Sequence, residues 1–377
     1  MKPAFGERIE CLDGLRGIAA LWVLIGHAHI LTNFKVPIIG DPDLGVDLFI
    51  LLSGFLMVYQ YKLRAMKEPW EAPSTWQKFW TRRFFRIAPL YYLLLAIALF
   101  LGPVIFEART VIDTFNGVPP QPPGRYLDQS LWNWLAHLTF IFGALPDYAY
   151  KTALPDWSIG LEMQFYLFFP LLMIAVQRAG VFKGLAIIVI FGVAVAMIIA
   201  KFGVHFPMPS FLPLKLHVFA AGMLLASVLG DERKRIWLAL AGAVVLILIP
   251  IGGSTRLLHE AARVGIVLGF FALVFHSRLP IGLSGLTKKV SQAMGAPFVR
   301  YMGEFSFGAY LWHLMIMQPL IALLINHFPM GDVARWAVTL IICIPITYAL
   351  AALGYYLVER PGQAMGRLAT SRPSAQQ

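Results

Sequence analysis

LDGLRGIAALWVLIGHAHI, residues 12–30, decides the fold. Its apolar run matches the roughly 20 residues that a helix needs to cross a bilayer, yet Asp13, Arg16, His27 and His29 stand inside it. It lacks a small-residue cleavage site followed by a polar mature chain, so it reads as a retained first helix and not as a secretory leader. Ionisable groups within a span are costly and mark function by default. Arg16 and His27 are eleven residues apart, close to three turns, so they share a face and lie ~16 Å apart along the axis. Arg16 is expected near the cytoplasmic surface, a turn after Asp13, and His27 in the outer half.

The rest of the chain has the same character. Of its 377 residues 58% are hydrophobic, 14% aromatic and only 14% charged, where soluble domains carry about 25% charged residues. The mean hydropathy of +0.69 is spread along the whole length and leaves no stretch for a separate soluble domain of ordinary size. These values predict an all-α polytopic membrane protein: one transmembrane domain over 1–360 and a short polar tail over 361–377, expected to be disordered. Candidate spans lie near 12–32, 45–61, 86–106, 157–176, 184–202, 211–229, 236–252, 261–277, 301–326 and 334–358. A further apolar stretch at 131–145 is too short to cross and is expected to be re-entrant or interfacial.

The net charge of +11 bears on topology before nucleic acid, and no nucleic-acid partner is expected. With ten spans and a cytoplasmic N-terminus, most of the 31 Lys and Arg residues fall on the cytoplasmic side, as the positive-inside rule requires. Counting 131–145 as an eleventh span would put the DERKR run at 231–235 outside. Both termini are therefore expected in the cytoplasm. A basic loop over 62–86 faces inward, and a loop over 107–130 faces outward, its run GVPPQPPGR (117–125) barring regular structure through the prolines. Cys11 and Cys343 are too far apart in sequence to suggest a metal-ligand spacing or a disulfide framework, and no metal is expected.

Four other segments carry polar chemistry. In WSIGLEMQFYLFFP (157–170) Glu162 falls ~9 Å below the outer surface and His27 ~8 Å below it, by the helical rise. Such a pair can act as a base with an orienting or proton-accepting partner, although a protonated carboxyl bonded to a carbonyl fits Glu162 as well. GVDLFILLSGF (45–55) places Asp47 at the outer surface and the small pair Ser53 and Gly54 deeper, suited to close helix packing or, at Ser53, to a substrate hydrogen bond. GEFSFGAYLWHLM (303–315) puts His313 near mid-bilayer, as a proton-path candidate or a satisfied interior histidine. In RRFFRIAP (82–89), Arg82 and Arg86 share a face that could chelate a phosphate, with Arg83 beside them, or anchor the chain to anionic lipid headgroups.

These segments, taken together and in this order, resemble the acyltransferase 3 family of integral membrane O-acyltransferases, and the match extends to YYLVERP at 355–361. The diagnostic pair, an Arg and a His with ten residues between them in the first helix, is Arg16 and His27 here. The resemblance implies transfer of an acyl group, usually acetyl, from cytoplasmic acyl-CoA to a hydroxyl of an extracytoplasmic carbohydrate or glycolipid at a bacterial inner membrane. It implies His27 as the central catalytic residue, Arg82, Arg83 and Arg86 as holders of the CoA phosphates and Arg16 along the donor path. Glu162 is expected to orient the imidazole, Ser53 to contact the donor, and Asp47, Trp157, Tyr166 and His313 to line the acceptor side. Met163 stands where many relatives have a second Glu, and the long C-terminal extension that carries an esterase-like domain in some relatives is missing, so the chain is expected to act alone on its acceptor. A competing class, a proton-coupled lipid or sugar transporter, would use the same intramembrane charges.

Overall fold

The computed structural model describes residues 9, 11–65, 67–70 and 72–371; residues 1–8, with their charges, and 372–377 of the tail lie outside the described residues. Sixteen α-helices follow in chain order, with no strand among the described residues: α1 (Cys11–Leu31), α2 (Pro42–Arg64), α3 (Pro73–Phe100), α4 (Gly102–Phe115), α5 (Gly124–Leu127), α6 (Leu131–Leu138), α7 (Trp157–Ala179), α8 (Val181–Lys201), α9 (Leu212–Ser227), α10 (Arg233–Ile247), α11 (Leu257–Val274), α12 (Ile281–Met294), α13 (Pro297–Glu304), α14 (Ser306–His327), α15 (Asp332–Gly354) and α16 (Arg360–Ser371). Eight are long and apolar enough to cross a membrane, α15 being counted together with the helix that continues it to Ser371. The two other expected spans are α9 and α10, of 16 and 15 residues. The protein is an all-α polytopic membrane protein. Along α8, Ile190, Phe191 and Met197 are each about two-thirds exposed, an apolar surface that suits lipid and not water.

Several boundaries differ from the sequence reading for identifiable reasons. The basic segment over 62–86 is not all loop, because α3 already starts at Pro73, a residue that favours the first helical position. The expected third span to residue 106 breaks at Leu101, ahead of Gly102 and Pro103, and α4 sets off separately. Residues 117–123 lack regular structure, as their prolines require, but α4 and α5 flank them within the expected outer loop. The stretch 131–145 forms only α6, of 8 residues, and a single 3-10 turn at Ile141–Ala144. The tail expected to be disordered is helical to Ser371. Its small residues explain why: Gly362 lies against Pro89 and Gly366 against Phe85, so α16 docks on α3.

Close approach of helices positions the site. A Cβ on Gly54 of α2 would stand 2.1 Å from the carbonyl oxygen of Phe219 on α9, and one on Gly222 would stand 2.0 Å from that of Leu51. Gly303 of α13 meets the backbone of Asp13 in the same way, at 1.9 Å. Backbones thus touch where side chains would hold them apart. The start of α2 is fixed by Asp41, whose carboxylate accepts from the Asp43 amide at 3.1 Å, with Pro42 in the first turn.

Candidate active site

Two cavities lie toward opposite ends of α1. The smaller, ≈70 Å³, is lined by Arg16, Ser53, Gln60, Arg83, Arg86 and Glu162, among others. The larger, ≈1170 Å³, is lined by His27 and by residues of the segments 29–43, 109–125 and 256–259, among others. Val46 and Tyr310 line both cavities. The Tyr310 hydroxyl donates to the Pro155 carbonyl and accepts from Ser158 Oγ at 2.8 Å, which pins the ring between the two spaces.

His27, on α1, lines the large cavity, but Glu162, its expected partner, is not the residue beside it. His27 Nδ1 lies 2.9 Å from the Val23 carbonyl oxygen and 3.2 Å from His313 Nε2. A carbonyl only accepts, so His27 carries its proton on Nδ1. His313 Nδ1 in turn lies 2.7 Å from the Tyr310 carbonyl oxygen, which leaves His313 Nε2 as an acceptor toward His27. The His27 lone pair is therefore on Nε2, on a ring that lines the large cavity.

Glu162, expected at the depth of His27 as its orienting partner, lines the other cavity. Its Oε1 accepts from Ser53 Oγ at 3.0 Å and from the Tyr166 hydroxyl, and it lies within electrostatic reach of Arg16 and Arg83. Equal depth on two helices did not mean contact, because Glu162 lines the small cavity and His27 the large one. Ser53 and Tyr166 accordingly belong with the arginines, Tyr166 having been expected on the acceptor side. His313, fully buried, is the residue that meets His27.

The arginines divide differently from their helical spacing. Arg83 and Arg86 line the small cavity with Arg16, whereas Arg82 makes a two-pronged bridge to Glu68 at 2.9 and 2.7 Å. Burial raises the Glu68 pKa, but the hydrogen bonds and charge of Arg82, with Arg64 behind it, hold this carboxyl below its usual range. Arg83 donates to Gln60 Oε1 and packs over Tyr166, 5.5 Å from its centroid, with its Nε buried and without a partner. No carboxylate closes an ion pair with Arg16 or Arg86 among the described residues, although Glu359 of the YYLVERP segment is within electrostatic reach of both. Three guanidiniums around one lining carboxylate leave this cavity with an excess of positive charge.

Asp47 corrects another expectation. It is not at a surface facing substrate but buried, 1% exposed, and accepts from Lys215 Nζ at 2.6 Å and Arg263 Nε at 2.9 Å. That cluster joins α2 to α9 and α11. Trp157, at the start of α7, does line the large cavity. Tyr310, Gln60 and Glu359 were missed, although Tyr310 stands one helical turn before His313 on the same face.

The sequence profile of the acyltransferase 3 family, described as "Acyltransferase domain", matches residues 9–353. The chain belongs to the acyltransferase 3 family. It is 27% identical over 343 residues to acyltransferase MdmB of Streptomyces mycarofaciens, covering 82% of this chain and 79% of that one. It is 23% identical over 382 residues to O-acetyltransferase OatA of Staphylococcus aureus strain NCTC 8325, covering 94% of this chain but 57% of that longer relative. A putative acetyltransferase of the Acidianus two-tailed virus is 24% identical over 313 residues, 81% of this chain and 82% of the viral one. No solved structure matches the chain significantly. Family membership and the apolar helices together make the protein an integral membrane acyltransferase.

Proposed function

We propose that the protein transfers acetyl from cytoplasmic acetyl-CoA to a hydroxyl of a carbohydrate or glycolipid on the far side of a bacterial inner membrane, with His27 as general base. The observation that carries this reading is the pair of cavities sharing Tyr310 and Val46, one lined by Arg16, Arg83 and Arg86 and the other by His27. The CoA phosphates cannot enter the bilayer core, so they stay with the arginines. Only the thin pantetheine arm advances, and the ~16 Å from Arg16 to His27 along α1 suits its length.

His27 Nε2 takes the proton of the acceptor hydroxyl as its oxygen bonds to the thioester carbonyl carbon, and returns it to the CoA sulfur as the C–S bond breaks. His313 Nε2 accepts from the Nδ1–H of the resulting imidazolium and so stabilises the charged intermediate. Glu162 offsets part of the positive charge around the donor and keeps Ser53 and Tyr166 in place.

Calorimetric titration of the purified protein with acetyl-CoA tests the donor site. Each charge-assisted hydrogen bond contributes about 1.5–3 kcal/mol, so Arg83→Ala with Arg86→Ala should weaken binding at least tenfold, more at low salt than at high salt. Unchanged affinity in the double variant would remove the phosphate role. Arg82→Ala, whose partner is Glu68, should cost far less.

A further inference from the structure

The large cavity holds a feature that proton transfer does not use. Arg125, in the one-turn helix α5 after the proline run, is 4% exposed and lines the cavity. A buried guanidinium ordinarily sits against a carboxylate. This one does not: its only hydrogen bond among the described residues is from Nη1 to the neutral Gln121 Oε1, at 3.2 Å. Its Nε is buried and without a partner. The plane of charge rests on Tyr150, 3.6 Å from the ring centroid, with Tyr126 at 5.0 Å.

One lining acid is already engaged. Asp113 accepts from Arg109 Nε at 2.7 Å through one oxygen and from the Gln121 amide at 3.1 Å through the other. The remaining lining acids, Asp41 and Asp43, belong to the start of α2, where Asp41 meets His259 at 2.7 Å. The lining also carries the cations Lys35, Arg109 and Arg256, so with Arg125 its Lys and Arg side chains outnumber its three carboxylates. Arg109 and Arg125 are also within electrostatic reach of His27, so a group held by Arg125 would keep a neighbouring part of the same molecule close to the base.

We propose that Arg125 is an anion subsite for the acceptor, so that the substrate is a carbohydrate bearing a carboxylate or a phosphate close to the hydroxyl that is acetylated. Arg125 contributes the unpaired donors of a planar fork that matches either oxyanion. The two aromatic faces hold it flat, and the prolines at 119, 120, 122 and 123 fix the backbone that presents it. This rests on the reading of the large cavity as the acceptor site.

The test uses the full-length protein purified in detergent, with glucuronate, glucose 1-phosphate and uncharged glucose as probes. Binding is read from the shift of the thermal midpoint with concentration, and acetyl-CoA affinity is measured in parallel. At least one charged sugar should bind ten times or more tightly than glucose, and the tighter of the two tells carboxylate from phosphate. Arg125→Gln should lose that advantage with acetyl-CoA affinity unchanged. Arg125→Lys, which keeps the charge without the fork, should fall between and serves if the glutamine variant does not fold. Equal binding of charged and uncharged sugars, no binding of either charged sugar, or full anion affinity in Arg125→Gln would overturn the proposal. A charged sugar that binds through Arg125 but never receives acetyl from acetyl-CoA would leave the subsite standing and count against the transferase reading instead.

Discussion

His27 is held by two neutral acceptors, the Val23 carbonyl and the His313 ring, and both face its Nδ1. In the proposed mechanism this fixes Nε2 as the base, so His27→Gln should lower turnover by roughly 10²–10⁴-fold, the usual contribution of a positioned base, with acetyl-CoA affinity kept. His313→Gln removes a charge-stabilising contact and should cost about tenfold, which corresponds to ~1.4 kcal/mol. Steady-state kinetics separate the two, and a His313 variant as inactive as the His27 variant would mean that His313 reacts directly. At this scale the sequence was partly legible. Ionisable residues in apolar helices singled out Arg16, His27, Glu162 and His313 because a bilayer tolerates few of them. Their pairing was not legible, since depth along a helix carries no information about which neighbour a side chain faces: Glu162 went to Ser53 and Tyr166 and His313 went to His27.

At the scale of elements, glycine contacts set how closely α2 and α9 approach. Gly54→Ala should destabilise the protein by about 1–3 kcal/mol, the usual cost of overfilling a packed contact, and scanning fluorimetry in detergent should show a lowered midpoint. An unchanged midpoint would mean that α9 shifts at no cost. The small pair Ser53 and Gly54 was read as suited to close packing or, at Ser53, to a substrate hydrogen bond: Gly54 packs backbone to backbone, whereas the hydrogen bond of Ser53 goes to Glu162. Helix existence was readable from apolar runs, but breaks were harder to see. The separation of α3 from α4 at Leu101 occurs inside a continuous apolar stretch, and that of α13 from α14 at Phe305 inside the expected span over 301–326. Arg82 and Arg86 share a face by spacing, yet Glu68 draws Arg82 away. That acid lies fourteen positions earlier in the chain, beyond any helical periodicity.

Over the whole molecule, the charge excess and the two cavities describe one arrangement, with arginines at one end of α1 and the polar space around His27 at the other. The proposed topology puts the proline run outside and α12 inside. A cysteine introduced at Val118 should therefore react with a membrane-impermeant maleimide added to intact cells, and one at Ser284 should react only after permeabilisation. The native Cys11 and Cys343 are buried and give little background. The reverse pattern would invert the donor and acceptor sides. The central claim, acetyl transfer by His27 to a surface carbohydrate, is tested most directly by mass spectrometry of cell-surface glycans from cells producing the protein, its His27→Ala variant or neither. The account predicts an acetyl mass increment only with the unaltered protein, at equal protein levels. The same increment from cells producing His27→Ala would contradict it.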